Sequence, residues 1–152
     1  MRSPFQGPFN TQLFRKVLRN LMTNGRSWVG ATGTTPPDDW TASGDGTYTV
    51  TPEGWLRILR VSSATTTTYE FDTVIGGVYS YQLDIKDAVS GTLRVETRDS
   101  SNVTVTTDDY TATADDIYRT FTATSTTSKL RVRNIGTGDS EFAIDNVFIY
   151  KV

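Results

Sequence analysis

The chain of 152 residues has no cysteine and no histidine. No disulfide framework can form, and no thiolate or imidazole metal site. Cysteine nucleophiles, Ser-His-Asp triads and zinc hydrolases are excluded on the same ground. No run of about 18 apolar residues occurs, so no membrane-spanning helix is expected. Arg15, Lys16 and Arg19 interrupt the only stretch that could serve as the apolar core of a signal peptide, so none is expected. Acidic residues are missing from the first 37 positions, which hold Arg2, Arg15, Lys16, Arg19 and Arg26, a charge of +5. Residues 38–152 hold ten basic and seventeen acidic residues, a charge of −7. What the chain has in excess is threonine, 27 residues, which is β-branched and favours strands.

Residues 1–26 read as an N-terminal basic arm. Pro4, Phe5, Gly7, Pro8 and Phe9 exclude regular helix and central strand there. Leu13, Phe14, Val17, Leu18 and Leu21 recur at helical spacing, predicting a short amphipathic helix over about 11–19, or to 22 at most. Such a helix is marginal alone and needs something to pack on. A basic arm on an acidic body suits a partner of negative charge, with a solvated extension as the plainer reading. Nucleic acid and membrane are not the expected partners.

From about residue 40 the period changes from 3.6 to 2. Turn clusters such as Ser43-Gly44-Asp45-Gly46, Gly76-Gly77 and Gly136-Thr137-Gly138-Asp139 separate nine candidate strands: 46–51, 55–61, 67–74, 78–86, 92–98, 102–107, 117–124, 128–134 and 141–151. Tyr79, Tyr81, Leu83 and Ile85 share one face, as do Leu93 with Val95 and Leu130 with Val132; Arg94, Glu96, Arg98, Arg131 and Arg133 take the wet side. One buried and one wet face marks antiparallel sheets. The expected fold is all-β, an antiparallel two-sheet β-sandwich or jelly roll over 27–152, preceded by the extended arm and short helix. The runs Thr65–Thr68, Thr104–Thr107 and Thr122–Thr127 are expected mostly at the surface.

Several stretches carry a family resemblance. Tyr118-Arg-Thr-Phe-Thr-Ala-Thr, Lys129-Leu-Arg-Val-Arg and Phe142-Ala-Ile-Asp-Asn-Val-Phe-Ile resemble the closing strands of carbohydrate-binding-module jelly rolls of the family 4, 9 and 22 type. Ile75 to Tyr81 is similar to their step into a central strand, and Asn20-Leu21-Met22-Thr23-Asn24-Gly25 to their opening motif. The resemblance implies that Leu21 and Met22 belong to a first strand rather than to the helix. It also implies a structural calcium, but Arg26-Ser27-Trp28 stands where the acidic ligand would be. Asp145 remains as the lone metal candidate, and no cofactor is expected. Sugar binding in such modules uses exposed aromatic rings; Tyr48 and Tyr110 are the candidates here, the other aromatics being expected in the core.

No enzyme is expected. The doublets Asp38-Asp39, Asp108-Asp109 and Asp115-Asp116 sit in turn-like segments, and neighbours on an extended chain point apart. Two functions follow. A lone jelly roll of this type resembles modules of tailed-phage particles, such as decoration, cement, head-fibre or tail proteins. On that reading the chain is a virion protein assembled in host cytoplasm, present in many copies or as a homo-oligomer. Its arm residues Arg2, Phe5, Phe9, Leu13, Phe14, Arg15, Lys16, Val17, Leu18 and Arg19 would dock on a major capsid or other virion protein. The alternative is a glycan-binding module for a host surface or polysaccharide.

Overall fold

The computed structural model describes residues 20–22, 25 and 28–152. The expected arm contacts from Arg2 to Arg19 and the helix up to residue 19 lie outside them. Leu21 and Met22 are not helical: the Leu21 N–H donates to Ile149 O at 2.6 Å, and Asn20 Oδ1 accepts from Met22 N and Ile149 N. This extended segment lies against the last strand, as the family resemblance implied, and Met22 is buried in the core.

Ten strands follow: β1 (Trp40–Ser43), β2 (Thr47–Val50), β3 (Leu56–Leu59), β4 (Thr65–Asp72), β5 (Val78–Ala88), β6 (Leu93–Asp99), β7 (Thr104–Tyr110), β8 (Ala114–Thr122), β9 (Thr127–Asn134) and β10 (Glu141–Lys151). They form two five-stranded sheets, β1-β4-β9-β6-β7 and β2-β3-β10-β5-β8, and every pairing is antiparallel. The chain crosses repeatedly between sheets, and the two enclose one core, so the expected two-sheet sandwich is found.

Nine strands lie where the alternation placed them, with ends shifted by at most three residues and 141–151 matched at both ends. β1 was missed because only Trp40 of its four residues is buried, which leaves no alternation to read. Two expectations about the wet faces are corrected. Thr65, Thr66 and Thr67 are buried: Thr65 and Thr67 share the inward face of β4 with Tyr69 and Phe71, while Thr66 faces outward beneath Arg133, whose Nε donates to Thr66 Oγ1 at 3.3 Å. Glu96 is also buried, under the arginines of its own face.

Two features fasten the sheets. Asn134 on β9 donates to Ser140 O at 2.8 Å and, across the core, to Ile58 O on β3 at 3.3 Å, while Ser140 Oγ donates back to Asn134 Oδ1 at 2.5 Å. A row of rings, Trp28–Trp40–Tyr69–Phe71–Phe121–Tyr79, spans both sheets with centroids 5.5–6.4 Å apart, the spacing of offset and edge-to-face contacts. The loops before β6 and after β9 meet at Gly91 and Gly136, where a Cβ on either would come within 2.8 Å of the other's Cα.

Candidate functional site

The two tyrosines expected to meet sugar are not exposed. Tyr48 is 1% exposed, because the loop before β1 folds over β2 and Gly33 accepts the Tyr48 N–H. Its hydroxyl donates to Thr66 O at 3.0 Å, and burial pushes its pKa up to about 12. Tyr110 is half-buried opposite Leu93 and packs on the core. Burial raises its pKa, and the nearby Asp108 carboxylate adds to the effect. Tyr118, which sequence reasoning assigned to the core, is 55% exposed. The signal was present: Tyr118 alternates with Ile117 and Phe121, both of which face inward.

The outer face of the first sheet carries a denser array. Register sets three rows across its central strands. Thr66, Arg133 and Arg94 form one row, Thr68, Arg131 and Glu96 the next, and Glu70, Lys129 and Arg98 the third. Asp109 on β7 continues the first row, and Ser43 and Thr41 on β1 flank the first two. None of the outward strand positions in these rows is aromatic. An open groove of about 380 Å³ runs over this face, lined by Ser43, Thr66, Thr68, Arg98, Lys129, Arg131 and, from the β6–β7 turn, Asn102.

The cations here differ in how they are held. Arg94 forms a bidentate pair with Asp109 at 2.7 and 2.8 Å, and hydrogen bonding between the two lowers the Asp109 pKa and raises that of Arg94. Glu96 serves two arginines, Arg98 at 3.2 Å and Arg131 at 3.6 Å. Lys129 donates to Asn102 Oδ1 at 2.9 Å and lies 3.7 Å from Glu70. Arg133 has no carboxylate within salt-bridge distance among the described residues. Burial, with Arg133 and Arg98 as like-charged neighbours, lowers the Arg131 pKa against the pull of Glu96. Two buried atoms of the array, Glu96 Oε2 and Arg98 Nε, have no hydrogen-bond partner.

The outer face of the second sheet is a closed network. Tyr150 Oη donates to Gln82 Oε1 at 3.0 Å, Gln82 Nε2 to Asp116 Oδ1 at 2.9 Å, and the Asp116 N–H to Asp84 Oδ1 at 2.8 Å. Asn146 Nδ2 and Lys86 Nζ complete Asp84 at 2.7 and 2.8 Å, and Ser80 Oγ donates to Tyr118 Oη at 2.8 Å. Burial acts to raise the Asp84 pKa, but these donors outweigh it and hold the carboxyl below its ordinary 3.8.

The metal candidate Asp145 pairs in register with Asp84, whose oxygens are taken by these donors. Among the described residues no group of three acidic side chains gathers at this pair. The aspartate doublets are likewise dispersed. Asp108-Asp109 and Asp115-Asp116 lie in β7 and β8 rather than in turns, and each member has a separate partner: Arg119, Arg94, Lys86 and Gln82.

No protein-family model matches the sequence, and no curated protein matches it. Solved structures do match. A structure described as a family 4 carbohydrate-binding module is similar at TM-score 0.63 and 16% identity, covering 77% of this chain and 97% of that one. TmCBM61, in complex with β-1,4-galactotriose, is similar at TM-score 0.62 and 12% identity, over 88% and 99%. A tailspike protein of bacteriophage CBA120 is similar at TM-score 0.58 and 13% identity, over 88% of this chain but only 21% of that one. That partial likeness does not support a virion origin or virion partners. The chain has the jelly-roll fold of carbohydrate-binding modules.

Proposed function

We propose that the chain is a non-catalytic glycan-binding module that holds a polysaccharide across the outer face of its first sheet. The observation that carries this reading is the open groove over β4, β9 and β6. Threonine hydroxyls, an asparagine amide, arginines and a lysine converge there on a rigid sheet, which suits the hydroxyl-rich surface of a sugar chain. The fold likeness to carbohydrate-binding modules supports it. It takes precedence over the virion reading, whose proposed contacts lie in residues 1–19.

A glycan microarray of neutral and acidic polysaccharides tests the proposal. Binding to at least one glycan is expected, abolished in an Arg98→Ala/Arg131→Ala double variant that still unfolds cooperatively. A blank array for the native chain would overturn the reading.

A further inference from the structure

We propose that this face selects acidic polysaccharides, with Arg131, Arg133 and Lys129 receiving the carboxylates of uronic-acid residues. The inference rests on the glycan-binding reading and adds to it the class of sugar.

Three observations carry it. The first is the register. Arg133 stands directly opposite Arg94, and Lys129 directly opposite Arg98. Like charges facing each other across a strand pair destabilise a sheet, so sheet stability gives no reason for two such pairs flanking the Glu96–Arg131 row. The second is the charge balance. Of the ten basic residues in 38–152, five stand on this face, while thirteen of the seventeen acids lie elsewhere; those on it are Glu70, Asp72, Glu96 and Asp109. Asp109 is committed to Arg94 and Glu96 to two arginines, which leaves the positive charge of Arg133 and Lys129 weakly countered. Arg131 is already disfavoured as a cation by burial and then by its like-charged neighbours, so a bound anion would favour its charged form. The third is unfilled hydrogen-bonding capacity: Arg98 Nε is buried at this face without a partner.

The chemistry of the face then selects the ligand. With no aromatic ring among its rows, it offers no stacking platform for an uncharged sugar face. What it offers is guanidinium forks, which match a planar carboxylate in two parallel hydrogen bonds. Arg131 and Arg133 project from the same side of β9, about 7 Å apart along the strand, and can engage successive charged groups of an extended chain. A densely charged polyanion such as DNA fits less well, because residues 38–152 outside this patch hold five basic and thirteen acidic residues, a charge of −8, which repels a denser charge more strongly than a sparser one.

Affinity gel electrophoresis of the full chain tests the inference against polygalacturonate and alginate, against the carboxyl-reduced form of each, and against duplex DNA. Retardation by at least one acidic polymer is expected, with its reduced form at least tenfold weaker. Arg133→Gln should weaken the acidic polymer at least tenfold while leaving the melting temperature intact. That variant disturbs only a hydrogen bond to Thr66, so it separates binding from folding. Equal binding of the reduced polymers would overturn the charge selection and leave the glycan reading standing. Retardation by DNA as strong as by the uronates would overturn it in favour of generic polyanion binding. Absence of binding to any polysaccharide, acidic or neutral, would overturn both readings.

Discussion

The two outer faces of the sandwich are built on the same alternation of strand residues but differ in how their polar groups are used. On the second sheet, Tyr150, Gln82, Asp116, Asp84, Asn146 and Lys86 link into one continuous network. On the first sheet, cations face cations across β6 and β9, one buried carboxylate serves two arginines, and buried polar atoms lack partners. The closed network is explained by the folded chain alone. The open array is stable only because the core beneath it, with Leu93, Val95, Leu130 and Val132 fully buried, supplies the stability that its outer side does not. Two opposed pairs of cations on one face of a rigid sheet point to binding, since real proteins break local rules mainly at functional sites.

Removing a charge from each face tests this contrast. The largest effect is expected from Glu96→Gln. Its side chain is 5% exposed, and its loss leaves Arg98 and Arg131 without their shared counter-ion, so stability should fall by about 3 kcal/mol in urea denaturation. An unchanged midpoint would show that the array is not held by this carboxylate.

Asp84→Asn, in the closed network, should cost about 2 kcal/mol at neutral pH, the scale of hydrogen bonds to a buried charge. Because the folded pKa of Asp84 lies below its ordinary 3.8, the contribution is complete above that value. It is lost as pH falls through the lower folded value. The stability gap between native protein and variant should therefore close below about pH 4, followed by thermal melts across an acid series. A gap that stays constant into strong acid would disprove the role given to the charge.

Arg133→Gln probes the first sheet from the other direction. Relieving the Arg94–Arg133 opposition should leave stability unchanged or raise it by about 0.5 kcal/mol, even as uronate binding weakens. Tyr118→Ala should have the smallest effect, within about 0.5 kcal/mol, and should leave glycan binding intact. Loss of binding in that variant would move the site to the second sheet and reverse the assignment of the two faces.

Much of this architecture was legible in the alternation of residues. Tyr79 to Ile85, Leu93 with Val95, and Leu130 with Val132 face inward as their period required. The arginines of β6 and β9 were readable as a wet face, yet their meaning was not. β6 and β9 are neighbours only through the crossing topology, and no local pattern states that Arg94 will meet Arg133 some forty residues later. Thr65 to Thr67 were misread because threonine has the same strand preference whether or not a neighbour covers it. Tyr48 was misread because its burial depends on a loop from an earlier part of the chain folding back over β2.

The aromatic row inside the sandwich has an optical consequence. Tyr69 and Tyr79 lie within a relay of rings that ends at the tilted pair Trp40 and Trp28, whose centroids are 5.9 Å apart. At that spacing the two indole transitions couple, and light absorbed by the tyrosines is passed to the indoles before it is emitted. The fold therefore contains its own antenna, and a far-ultraviolet circular dichroism couplet from the indole pair is expected to report whether the segment carrying Trp28 is seated on the two sheets.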